Sequence, residues 1–163
     1  MDEKDGLILK ILEDNCKTSE QEIADMVDLD ATEVAERIAV LEKRGIIRKY
    51  TAVIDWDRTG GGQVAAILEL KVTPERGFGF DRVAERLARF RQVRSVRLIS
   101  GVYDLELLVI GTTIHDITGF VAEHVAAIEG IKETGTILIM KTYKENGQMY
   151  FDRKEGERLP YSF

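Results

Sequence analysis

Five cations gather within thirteen residues: Arg37, Lys43, Arg44, Arg48 and Lys49. Ammonium and guanidinium groups clustered in this way neutralise backbone phosphates, which supply most of the affinity of a protein for duplex nucleic acid. Just ahead of them the chain turns acidic, with Asp28, Asp30, Glu33 and Glu36. Carboxylates repel phosphate, although one can accept a hydrogen bond from a cytosine amino group. The expected division is therefore backbone contacts from Arg37, Lys43, Arg44, Arg48 and Lys49. A short set of base-reading candidates remains in Thr32, Glu33, Glu36 and Arg37. Residues 1–50 hold eight basic and thirteen acidic side chains, a net of −5 out of −6 for the whole chain. That balance argues mildly against a general nucleic-acid binder and expects weak binding per dimer, with avidity from a multimer.

Other reactive types are sparse. His115 and His124 are nine residues apart on an expected helix, whereas a metal pair on a helix needs a spacing of three or four. Cys16 is the lone cysteine and has no Cys or His beside it in sequence, so it reads as a small core residue in a reducing compartment. Gly60, Gly61 and Gly62 lack the Lys-Ser/Thr of a phosphate-cradling loop and read as a linker. No nucleophile elbow is present. The expectation is no catalytic residue, no metal and no cofactor.

These side chains need elements to hold them. "DGLILKILED" places Leu7, Ile8, Ile11 and Leu12 on a helical stripe. Ser19 with Glu22 forms a capping box that opens a second helix, with Ile23, Met26 and Val27 inward. Asp30 and Glu33 repeat the pattern for a third helix with Val34, Ile38 and Leu41 buried. Asp28 joins the acidic caps at its start, and Gly45 stops it. Short helix, tight turn and long helix make a helix-turn-helix. "IIRKYTAVID" alternates as a strand, with Ile47, Tyr50 and Val53 inward or toward a partner, and "DRTGGGQ" is a hinge.

Beyond the hinge the period changes. Strands are expected over 64–72, 93–100, 104–111 and 131–144, with helices over 79–90 and 114–130. The order β-α-β-β-α-β is ferredoxin-like, a four-stranded antiparallel sheet with two helices on one face. Ile67, Leu98, Leu107 and Ile137 cannot all point at those helices, so a second subunit is expected over the open face. The fold class is α+β: an N-terminal winged helix-turn-helix (1–50), a crossing strand and Gly-rich hinge (51–63), and a ferredoxin-like domain (64–144). A tail (145–163) carries Tyr150, Phe151, Tyr161 and Phe163 and is expected to dock on a partner surface. With 32% charged and 44% hydrophobic residues, no run of 18 apolar residues and an acidic start, the chain is expected to be cytoplasmic, with no membrane partner.

The helix-turn-helix, "LEKRGIIRKYTAVID", the hinge, "SGVYDLELLV" and "ETGTILIMKTYK" fall in an order that resembles the Lrp/AsnC family of transcription regulators across residues 2–144. The resemblance implies double-stranded DNA as partner, dimers built on the sheets that associate into tetramers or octamers, and a small effector, usually an amino acid, held between dimers. It points to Leu98, Gly101, Asp104, Thr134 and Thr136 as effector-binding residues. Asp104 would pair an α-ammonium, Gly101 would let a carboxylate approach the backbone, and the threonine hydroxyls would orient the ligand. The alternative for Asp104 and Gly101 is plain hairpin chemistry, and for the threonines a strand at a subunit contact. Val102 stands where the family often has an acid, which leaves the specificity open. Two further readings remain: a partner module with a degenerate helix-turn-helix, suggested by the net charge of −5, and a siroheme-decarboxylase-like enzyme, which two histidines support poorly.

Overall fold

Three helices, each opened by an acid or a hydroxyl, begin the chain. α1 (Glu3–Asp14) and α2 (Glu20–Val27) start with full capping boxes, Asp2 with Asp5 and Ser19 with Glu22. α3 (Ala31–Lys43) is capped by Asp30, whose side chain accepts from the Glu33 N–H. The reciprocal half of that third box is missing, because the Glu33 carboxylate turns to Arg37 instead. Asp28 does not cap α3. It ends α2 in the left-handed conformation, φ 54°, which a short polar side chain tolerates. Gly45, at φ +68°, closes α3 as expected, and the Ile46 N–H turns back to the Leu41 carbonyl. Ile8, Ile23, Ala24, Val27 and Val34 form the core of these helices, and Ile38 packs against it half-buried. Met26, expected inside, is 65% exposed; Ala24 takes its place on the inner face.

This computed structural model describes residues 1–151, divided into two units: residues 1–54 with 144–149, and the rest. In the first unit, residues 46–55 pair with no strand. The alternation there does not produce a strand; Tyr50 and Val53 are exposed and Ile47 is half-buried. The hinge opens with a 3-10 turn, Trp56–Thr59, closed by Gly60 at φ +73°. β5 (Lys144–Glu145) and β6 (Gln148–Met149) make a small hairpin. The tail residues Tyr161 and Phe163 lie outside the described residues.

The second unit is the expected sheet. β1 (Val64–Val72), β2 (Val93–Leu98), β3 (Leu105–Gly111) and β4 (Ile131–Leu138) are antiparallel in the order β2-β3-β1-β4. α4 (Asp81–Ala88) and α5 (Ile114–Phe120) supply the helical layer. Alternation in β1 buries Ala66, Leu68, Leu70 and Val72, which meet Leu105, Leu107 and Val109 of β3 and Val83, Leu87 and Phe120 of the helices. Leu107 thus points to the helices. Leu98 pairs opposite Leu105 on that side too, yet is 64% exposed at the strand end. Ile67 and Ile137 face each other on the open side.

The single helix expected over 114–130 is broken by a π turn at Val121–Val125, marked by the Ala126 N–H to the Val121 carbonyl at 2.8 Å. The sequence explains it. Phe120 and Val125 are both buried, five residues apart. A regular helix at about 100° per residue would leave them about 140° apart; the wide turn brings both onto the core.

Candidate functional site

α3 presents two faces. Val34 and Leu41 are buried, while Thr32, Ala35, Glu36, Ala39 and Lys43 are exposed along the other side. Ala35 and Ala39 attract no notice in the sequence, yet their small side chains let a groove wall come close, and alanine methyls pack on thymine methyls. Lys43, Arg44, Arg48 and Lys49 are exposed and form no ion pair among the described residues. Tyr50, whose hydroxyl donates to Glu42 at 2.9 Å, has its phenol pushed up, first by burial and then by that carboxylate.

Arg37 is different. Its guanidinium meets Asp2 at 2.7 Å, Asp5 at 2.8 Å and Glu33 at 2.8 Å. Only 25% of the side chain is exposed. The hydrogen bond from Arg37 holds Asp2 below the usual carboxylate range; Asp5 is held down first by the Asp2 N–H and then by Arg37. Three carboxylates on one cation leave a local excess of negative charge. Arg37 therefore locks α1 to α3, and its charge is already spent within the chain. Little in the local sequence signals this, because Asp2 and Asp5 lie more than thirty residues away.

The second candidate site is the β2–β3 turn. Ile99 N–H donates to the Asp104 carbonyl and Asp104 N–H to the Leu70 carbonyl, each at 2.9 Å. The Asp104 carboxylate accepts from the Val72 N–H at 2.8 Å and pairs with Lys71 at 3.3 Å. These contacts lower its pKa, the Val72 N–H first. Lys71 also donates to the Val102 carbonyl at 2.6 Å. Asp104 is thus a latch that ties the turn to β1 where the β1–β4 register slips, between Lys71 and Val72. Gly101 is exposed, and a Cβ there would meet open space. Thr134 and Thr136 sit opposite Leu70 and Leu68, at the same end of the sheet with β1 between them and the turn. Tyr103 lies on the other face of the sheet. It reaches from the turn across to β4, where a Cβ on Gly135 would lie 3.3 Å from its hydroxyl. Gly135 is the residue that makes this crossing possible, a role visible only in the sheet register.

Two family patterns match the chain in series. Residues 1–48 match the winged helix-turn-helix DNA-binding family, and residues 65–149 match the Lrp/AsnC ligand binding domain. The chain belongs to the Lrp/AsnC family. It is 39% identical over 161 residues to the uncharacterized HTH-type transcriptional regulator YugG of Bacillus subtilis, covering 98% of this chain and 97% of that one. The solved structure of PH0061 superposes with a TM-score of 0.77 at 28% identity, over 89% of this chain and 96% of that one. The transcriptional regulator NMB0573 of Neisseria meningitidis, solved as a complex with L-Met, shares the fold with a TM-score of 0.70 at 22% identity, over 89% and 93%. This member of the Lrp/AsnC family is therefore a DNA-binding transcription regulator with an effector-binding domain, and not an enzyme. None of its described helices is long and apolar enough to cross a membrane.

Proposed function

We propose that this regulator answers to an amino acid bound at the β2–β3 turn, and that it acts in the cytoplasm as a homo-oligomer. The observation that carries the effector reading is the latch at Asp104. An ionised carboxylate and the 39%-exposed Lys71 ammonium stand side by side at the rim, the charge pair that a zwitterion needs. Thr134 and Thr136, on the sheet face of Leu70 and Leu68, and the open backbone at Gly101 offer neutral polar groups, and Leu98 an exposed apolar one. The apolar face of Ile67 and Ile137 supports sheet-to-sheet dimers, with tetramers or octamers above them.

DNA contact runs through Lys43, Arg44, Arg48 and Lys49 to phosphates, and through Thr32, Glu36 and the exposed alanines to base edges. Glu33 is taken up by Arg37, and Arg37 by Asp2 and Asp5 as well. The experiment is a thermal-shift screen of the full chain against the twenty amino acids, beginning with methionine, followed by fluorescence anisotropy on the duplex upstream of its own gene. A ligand that binds only the native state at a hundredfold excess over Kd stabilises it by about 2.7 kcal/mol. At least one amino acid should raise the melting temperature and change DNA affinity, and Thr134→Val/Thr136→Val should weaken both effects. If no amino acid does either, the effector reading fails.

A further inference from the structure

Away from the turn, at the other end of β3, lies a cleft of about 690 Å³ lined by Gln63, Arg91, Arg94, His115, Glu123 and His124 among others. β3 has seven residues, so the two ends are roughly 20 Å apart. The cleft is large enough for a metabolite-sized ligand. We propose that it binds a small oxyanion of the phosphate or carboxylate class, gripped by the guanidinium groups of Arg91 and Arg94 and flanked by the rings of His115 and His124.

Four observations converge. Arg91 and Arg94 are exposed in the cleft and form no ion pair among the described residues. Guanidinium forks suit planar carboxylates and phosphate edges. Asp116, which also lines the cleft, is occupied: its Oδ2 accepts from the Thr112 N–H, the Thr112 hydroxyl and the Thr113 N–H. Among the described residues Glu123 is then the one carboxylate of the lining with no hydrogen bond or ion pair. It shares the cleft with two arginines and two imidazoles, whose N–H groups are hydrogen-bond donors.

The fourth observation concerns the histidines. In an uninterrupted helix, residues nine apart point about 180° from each other. Both nevertheless line this cleft, because His124 lies within the π turn, whose smaller rotation per residue brings it back toward the His115 side. The His124 ring is held there by Phe90 and Phe120, with centroids at 5.5 and 5.8 Å. π turns recur at functional sites, and this one assembles the cleft.

The chain has two histidines in all, so their ring signals in an NMR spectrum of the full protein report on this cleft alone. Pyrophosphate and citrate, titrated separately at constant ionic strength, distinguish phosphate from carboxylate preference. Both histidines should shift saturably with at least one of them, with half-saturation at or below ~1 mM. Arg91→Gln/Arg94→Gln should weaken that binding at least tenfold. Histidine signals that stay still to ~10 mM of both anions in the wild-type protein would overturn the proposal, with no variant needed. So would equal affinity in the double variant, or shifts seen with duplex DNA and with neither anion.

Discussion

Substituting Arg37 and Arg48 in turn separates a cation that serves the fold from one that serves DNA. Log affinity for duplex DNA falls with log salt by about 0.9 per neutralised phosphate. Lys43, Arg44, Arg48 and Lys49 give four cations per chain with no ion pair among the described residues, eight in a two-chain complex, hence a slope near −7. Arg37 is left out of that sum because Asp2, Asp5 and Glu33 already neutralise it. Arg48→Gln should flatten the slope by about 0.9 per chain, which between 50 and 200 mM salt removes about 3.5-fold of salt-dependent affinity for each lost contact. Arg37→Gln should leave the slope where it is, while lowering the melting temperature because three carboxylates lose their shared cation. Asp2→Asn/Asp5→Asn leaves Glu33 as the guanidinium's remaining partner and should steepen the slope by less than about 0.9 per chain. Fluorescence anisotropy on one duplex across a salt series measures all three. If Arg37→Gln flattens the slope as much as Arg48→Gln, Arg37 touches phosphate and the argument from its ion pairs is wrong.

Two further outcomes test the elements that carry the sites. Ser19→Ala removes the side chain that caps α2 through the Glu22 N–H and should cost about 1 kcal/mol, read as a lower urea midpoint with an unchanged m-value. Asp2, Asp5, Glu22, Asp104 and Asp116 all have folded-state values below their ordinary ones. The unfolded chain therefore takes up these protons first as pH falls. Their contribution is full above the ordinary carboxylate range, near pH 4, and is lost as pH drops through the lower folded values. Melting temperatures should be insensitive to these groups from pH 7 to pH 5 and fall steeply below about pH 4.

Local signals made most of the fold legible. Ser19 with Glu22, Asp30 before Ala31 and Gly45 after Lys43 are short-range chemistry, and each marks an element end in the structure. The period-two pattern from Val64 to Val72 placed β1 without error. What stayed hidden was long-range. The capture of Arg37 depends on Asp2 and Asp5, which only the packing of α1 against α3 brings near. The bond from Val72 N–H to Asp104 exists because β1 and β3 are neighbours, and it turns a residue expected to face a ligand into one that also holds the strand end. Tyr103 over Gly135 needs the full strand order. The stretch from Ile46 to Asp55 alternates like a strand, yet pattern alone cannot supply the neighbour that a ladder requires.

The π turn at Val121–Val125 also bears on how this protein descends from its kin. A wide turn is one way a helix takes in an extra residue, the bonding ladder swelling locally instead of rotating everything downstream. A relative without that residue should run as an ordinary helix through the same layer, and its alignment should open a one-residue gap between Phe120 and Ala126. The residue standing for His124 would then sit eight positions after the one standing for His115 and reach the same cleft. Matching these proteins by counting residues would miss that equivalence; matching them by helical phase recovers it.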